Sequence, residues 1–107
     1  MADKVLVLIG TRKGAFILRS DADRRDWRLS GPFGDTSPMN HVIADPASGI
    51  LWGGGGSEWF GPAVWRSDDL GETWTHSREG LKFADGQAPM TSVWSLASAH
   101  GVLWAGV

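Results

Sequence analysis

The sequence predicts an all-β chain, and three observations carry the prediction. The apolar runs are short and rich in β-branched and aromatic residues, turn signals bound nearly all of them, and no stretch has a convincing amphipathic helical pattern. The chain also holds 15 glycines and 7 tryptophans in 107 residues, a balance that suits many short strands joined by tight turns. Glycine supplies turns and bulges, and tryptophan favours strands and large apolar interfaces.

In chain order the runs are "VLVLIGT", "AFILRS", "HVIA", "ILWGG", "AVWRS", "SVWSLA" and "VLWAGV". Between them fall "RKG", "DPASG", "GSEWFGP", "SDDLGE" and "SAHG", each carrying residues that open or close a turn. The best helical candidate, "EGLKFADG", is short and closed off by glycines.

Internal repetition organises these strands. "LWGGG" (51–55) aligns with "LWAGV" (103–107), so Trp52 matches Trp104 and Gly54 matches Gly106. "LIGT" (8–11) fits the same slot through Gly10. "RSDDLGETW" (66–74) aligns with "RSDADRRDW" (19–27), matching Arg66 to Arg19, Ser67 to Ser20 and Trp74 to Trp27 at an offset of 47 residues. Repeats of this length with several strands each are the mark of antiparallel β-propeller blades.

The expected division is a partial blade at 1–38, a full blade at 39–90 and the first two strands of a third at 91–107. The full blade reads "HVIA", "ILWGG", "AVWRS" and "TWTHS", with "GGSEWFGP" as the loop between its second and third strands. The first copy starts at strand two and lacks an inner strand. The blades are incomplete as a single closed ring, so the expectation is a homo-oligomer or a fragment of a longer chain.

Composition excludes several functions. The formal net charge is −2, without the basic footprint that nucleic acid selects, and "RRDWR" (24–28) reads as a solvated turn. There is no cysteine, so disulfides, thiolate metal sites and cysteine catalysis are absent. The N-terminal apolar run, Val5 to Ile9, is too short for a signal-peptide core or a membrane span, and a cytoplasmic location is the expectation. His41, His76 and His100 lack ligand spacing, so neither a metal nor another cofactor is expected. "GGGG" (53–56) is no phosphate loop, because no helix and no Lys-Ser/Thr follow it. It reads as a close approach of backbones or a strand end.

Residues 67–74, "SDDLGETW", fit Ser-x-Asp-x-Gly-x-Thr-Trp at Ser67, Asp69, Gly71, Thr73 and Trp74. The stretch is similar to the Asp box that marks BNR repeats, as found in sialidases, sortilin-type receptors and photosystem-assembly propellers. The residue types suit a tight reversal: Gly71 tolerates positive φ, and the Asp69 carboxylate and Ser67 hydroxyl can accept the turn's own N–H groups. The first copy is a decayed box, with Ala22 for the aspartate and Arg24 for the glycine. With "IGTRKGAF" and "WFGPAVWRSDDLGETW", the chain resembles the N-terminal part of sialidase-like BNR-repeat propellers described as glycosyl hydrolases.

The resemblance implies a structural Asp box at the turn between strands three and four, facing away from the ligand. Strand alternation then gathers Arg12, Lys13, Asn40, His41, Glu58, Trp59, Phe60 and Asp85 on the opposite face. Aromatic rings for stacking, an arginine for a ligand carboxylate and acids for proton transfer are what a carbohydrate or small acidic ligand needs. For each there is a plainer reading: "TRKG" as a polar hairpin turn, Trp59 and Phe60 as loop packing. The resemblance also implies a tyrosine nucleophile, yet the chain has no tyrosine and no "RIP"-type motif around Arg12. Catalysis is therefore incomplete in these residues. The alternatives are a non-catalytic propeller that binds a protein or glycan, and a small propeller fragment that self-assembles.

Overall fold

The computed structural model describes residues 4–34, 37–57, 61–77, 79–83 and 86–107. Among these residues the chain is all-β, built from antiparallel sheets. The first sheet has the order β1 (Val5–Thr11), β2 (Gly14–Ser20), β3 (Arg28–Phe33). The second runs β4 (Met39–Ala44), β5 (Leu51–Ser57), β6 (Gly61–Ser67), β7 (Thr75–Ser77). The third pairs β8 (Ser95–Ala99) with β9 (Val102–Gly106).

The sheets stack through their first strands: β1 lies against β4, and β8 lies against both β4 and β5. Alternation along each strand decides what is buried. Ala15 and Ile17 of β2 are fully buried, while Phe16 and Leu18, on the other face, are half-buried. The core between the first two sheets is Ala15, Met39, Val42, Ala63 and Trp65, with Leu8, Phe33 and Trp74 packed against it. Each large apolar side chain removed from water here stabilises the fold by about 1.5–3 kcal/mol.

Three elements differ from the sequence expectation. β5 does not end at Gly54 but continues through Gly55 and Gly56 to Ser57, pairing with Ala63, Pro62 and Gly61. The glycine run is strand because β4 and β6 pair with it, and it is glycine because neighbours close in: a Cβ on Gly55 would lie 1.9 Å from the Pro38 carbonyl oxygen. β3 carries Gly31 and Pro32, a poor strand sequence, and is held by pairing with β2 as the edge of its sheet, where a missing N–H is tolerated. β8 begins at Ser95, three residues after the apolar run starts. Residues 91–94 instead bridge two sheets: the Val93 N–H donates to the Gly55 carbonyl at 3.1 Å and the Trp94 N–H to the Gly106 carbonyl at 2.7 Å.

Candidate functional site

The hairpin connections place the β1–β2 turn, the starts of β4 and β8, and the β5–β6 end at one end of the sheets. The turns after β2, β4, β6 and β8 lie at the other. At the first end is an open concavity of about 580 Å³, lined by Arg12, Pro38, Asn40, Gly56, Ser57, Thr91, Ser92 and Trp94.

Each wall is locally determined. Arg12 sits in the β1–β2 turn, which Thr11 fixes: its hydroxyl donates to the Gly14 carbonyl at 2.8 Å and accepts the Lys13 N–H at 3.1 Å. Asn40 donates from Nδ2 to the Ser92 hydroxyl and to the Val93 carbonyl, both at 2.8 Å. Its amide is thereby oriented, and among the described residues nothing donates to its Oδ1. Trp94 is 63% exposed, so its ring is open to a ligand. Among the described residues no carboxylate pairs with Arg12. The arrangement offers a guanidinium, an amide acceptor, the exposed Thr91 hydroxyl and an aromatic surface, a set suited to a hydroxylated or acidic small molecule.

Arg12 and Asn40 of the sequence candidates line this concavity. Lys13 is exposed in the same turn but does not line it. His41 turns instead to the β8 backbone, where its Nδ1 accepts the Leu96 N–H at 2.9 Å. That bond uses Nδ1 as the acceptor and makes the ring a link between sheets. Glu58, Trp59, Phe60 and Asp85 lie outside the described residues. Sequence reasoning missed Thr91, Ser92 and Trp94. The strand-start logic that selects Asn40 applies equally to the residues leading into β8, but the apolar pattern of "SVWSLA" predicts strand throughout.

The Asp box lies at the opposite end. The Ser67 hydroxyl accepts the Gly71 N–H and donates to Asp69 Oδ1, each at 2.8 Å. Asp69 also accepts the Thr73 N–H at 2.9 Å and the Thr73 hydroxyl at 2.5 Å. These bonds, from Thr73 first and then Ser67, hold its carboxyl at about 2, below the usual 3.8. A carboxylate so occupied has no proton to donate near neutrality. Asp45, at the same end, accepts hydroxyl bonds from Ser48 at 2.6 Å and from Ser98 at 2.8 Å, which lower its pKa. A smaller cavity of about 330 Å³ beside Asp45 is lined also by Trp52, Val102 and Leu103.

Among the described residues no group of three or more His, Asp or Glu side chains is placed to hold a metal ion, and no helix is long and apolar enough to cross a membrane. Comparison with protein-family models and with curated proteins finds no match to this chain.

Proposed function

We propose that the chain is part of a sialidase-like, Asp-box β-propeller and that it binds a carbohydrate or small acidic ligand at the Arg12–Asn40–Trp94 concavity. The observation that carries the reading is the separation of the two ends. The Arg12 guanidinium, the exposed Thr91 hydroxyl and the Trp94 indole share one concavity, while the Asp69 carboxylate is consumed by its own turn at the other end. The propeller part of the reading is supported by the stacked antiparallel sheets and by a box turn placed between the third and fourth strands of the four-stranded sheet.

Within this reading the chain is not catalytically complete by itself, because it holds no tyrosine to act as the nucleophile of sialidase chemistry. Titration with N-acetylneuraminate, glucuronate and methyl glucoside, followed by amide and indole NMR shifts, tests it. Saturable shifts at Trp94 Nε1 and the Arg12 turn are expected, with the acids weakened in Arg12→Gln and the neutral sugar little changed. Unmoved resonances at Arg12, Asn40 and Trp94 with all three ligands would refute the placement of the site.

A further inference from the structure

β4 reaches the third sheet with two consecutive side chains, which a regular strand would point to opposite faces. The register slips between Met39 and His41: Met39 pairs with Gly55 and His41 with Gly54, so Asn40 is the extra residue of a bulge. A bulge re-aims side chains. Here Asn40 bonds Ser92 and Val93, and His41 bonds Leu96. The half-buried His41 accepts the Leu96 N–H on Nδ1, an atom that accepts only while it carries no proton. Ser92, Val93 and Leu96 are all buried, and the exposed Trp94 lies between them.

The surroundings of His41 offer a proton no compensation. The strands that pack most against β4 are β1, β2, β5 and β8. β1, β5 and β8 carry no acidic or basic side chain, and β2 carries only Arg19, which is bonded to Ser30 and Leu70. Asp45, just after β4, is held by Ser48 and Ser98 at the other end of the sheets. The charged side chain that shares the concavity with Asn40 is Arg12, itself a cation. A proton on Nδ1 would therefore set one N–H donor against another, with no carboxylate from those strands to offset it. Imidazole is the side chain whose charge changes between about pH 5 and pH 8.

We infer that His41 is a proton-sensitive latch on the ligand concavity: protonating its ring releases the Leu96 N–H and loosens the Trp94 wall from β4, so a ligand is held at neutral pH and let go in mild acid. Trp94 lies between the Asn40 bonds to Ser92 and Val93 and the His41 bond to Leu96. Its own N–H is bonded to Gly106 of the third sheet, so it moves with that sheet. The release is local. The core between the first two sheets includes no residue of the third, so the latch shows in exchange along β8 and not in the main melting transition. The consequence for a ligand rests on the reading of the concavity given above, whereas the latch itself is measured without ligand.

The experiment is amide exchange, expressed as protection relative to an unfolded chain, with the Trp94 indole shift read alongside, at about pH 7.5 and about pH 5. The wild type is compared with His41→Asn, in which Oδ1 takes the place of Nδ1 and does not titrate. In the wild type, protection at Leu96 is expected to fall about five-fold or more in acid, the scale of one hydrogen bond, and the Trp94 Nε1 resonance to move with it. In His41→Asn neither is expected to change. His76→Gln/His100→Gln leaves His41 alone of the chain's 3 histidines and is expected to keep the wild-type response, a test that stands whether or not His41→Asn folds. Equal Leu96 protection at both pH values in the wild type, a response that persists in His41→Asn, or one that disappears in His76→Gln/His100→Gln would overturn the inference. N-acetylneuraminate, whose carboxylate stays ionised at about pH 5, is expected to bind the wild type about five-fold more weakly in acid and His41→Asn equally at both. Equal affinity in the wild type would overturn the link from latch to site. Binding at neither pH would count against the ligand reading alone, because the Leu96 result stands without it.

Discussion

The Trp74 indole N–H donates to the Gly71 carbonyl at 3.0 Å and so closes the Asp-box turn with the side chain that follows it. The decayed first copy keeps the same bond: Trp27 Nε1 donates to the Arg24 carbonyl at 3.1 Å. Arg24 takes φ 57° where Gly71 takes φ 91°, so the backbone shape survives the loss of the glycine. Tryptophan at the end of the motif is thus a local staple, and Trp74→Phe is expected to destabilise the chain by about 1 kcal/mol, read as a lowered urea midpoint.

Gly71 is constrained by more than its φ. A Cβ there would lie 2.3 Å from Ile17 Cδ1, and Ile17 is fully buried. Gly71→Ala is expected to cost more than about 1 kcal/mol. Ile17→Val removes the methyl group that the new Cβ meets. The double variant should therefore be more stable than the sum of the single losses predicts, a coupling that a double-mutant cycle measures. Additive losses would show that φ alone sets the cost.

Acid sensitivity follows from Asp69. Its carboxyl is held at about 2 in the folded chain, below the usual 3.8. A depressed folded pKa gives stability that is present above the unfolded value and lost as pH falls through the folded one. Asp45 is shifted in the same direction. The melting temperature is expected to hold from pH 7 to pH 5 and to drop between about pH 4 and pH 2. Asp69→Asn should lower it at pH 7 and flatten the acid fall.

Arg19 joins the first sheet to the box of the second. Its Nη1 donates to the Ser30 hydroxyl and its Nη2 to the Leu70 carbonyl, each at 2.5 Å. Glu72 is 3.9 Å away and its side chain is 75% exposed. Arg19→Ala is expected to cost about 1–2 kcal/mol and Glu72→Gln within about 0.5 kcal/mol, because the carbonyl bond is better placed than an exposed ion pair. Comparable losses in the two variants would reassign the contact to the ion pair.

Asn40 and His41 supply two of the bonds that attach the third sheet. Asn40→Asp puts a carboxylate against the Val93 carbonyl, replacing a donor with an acceptor. His41→Phe leaves the Leu96 N–H without its acceptor. Hydrogen exchange should therefore speed up along β8 in Asn40→Asp, and at Leu96 by about five-fold or more in His41→Phe, for a bond worth about 1 kcal/mol. Unchanged protection at Leu96 would mean that β8 holds without His41.

The sequence by itself determined the strand class, the antiparallel hairpins and the Asp-box turn. Those depend on local chemistry: period-two burial, turn residues, and side chains that bond their own backbone within four residues, as Ser67 does with Gly71 and Asp69 with Thr73. Tertiary structure decided what depends on distant partners. β3 is a strand because β2 pairs with it, and the glycines of β5 are strand because β4 and β6 pair with them, with Pro38 and Val93 leaving no room for a Cβ at Gly55 and Gly54. His41 left the candidate site because Leu96, 55 residues away, supplies the N–H it accepts. Trp94 entered it because Gly106 and Gly55 draw residues 93 and 94 across the gap between sheets. Such contacts join residues with no shared local pattern, so they are fixed only when the sheets stack.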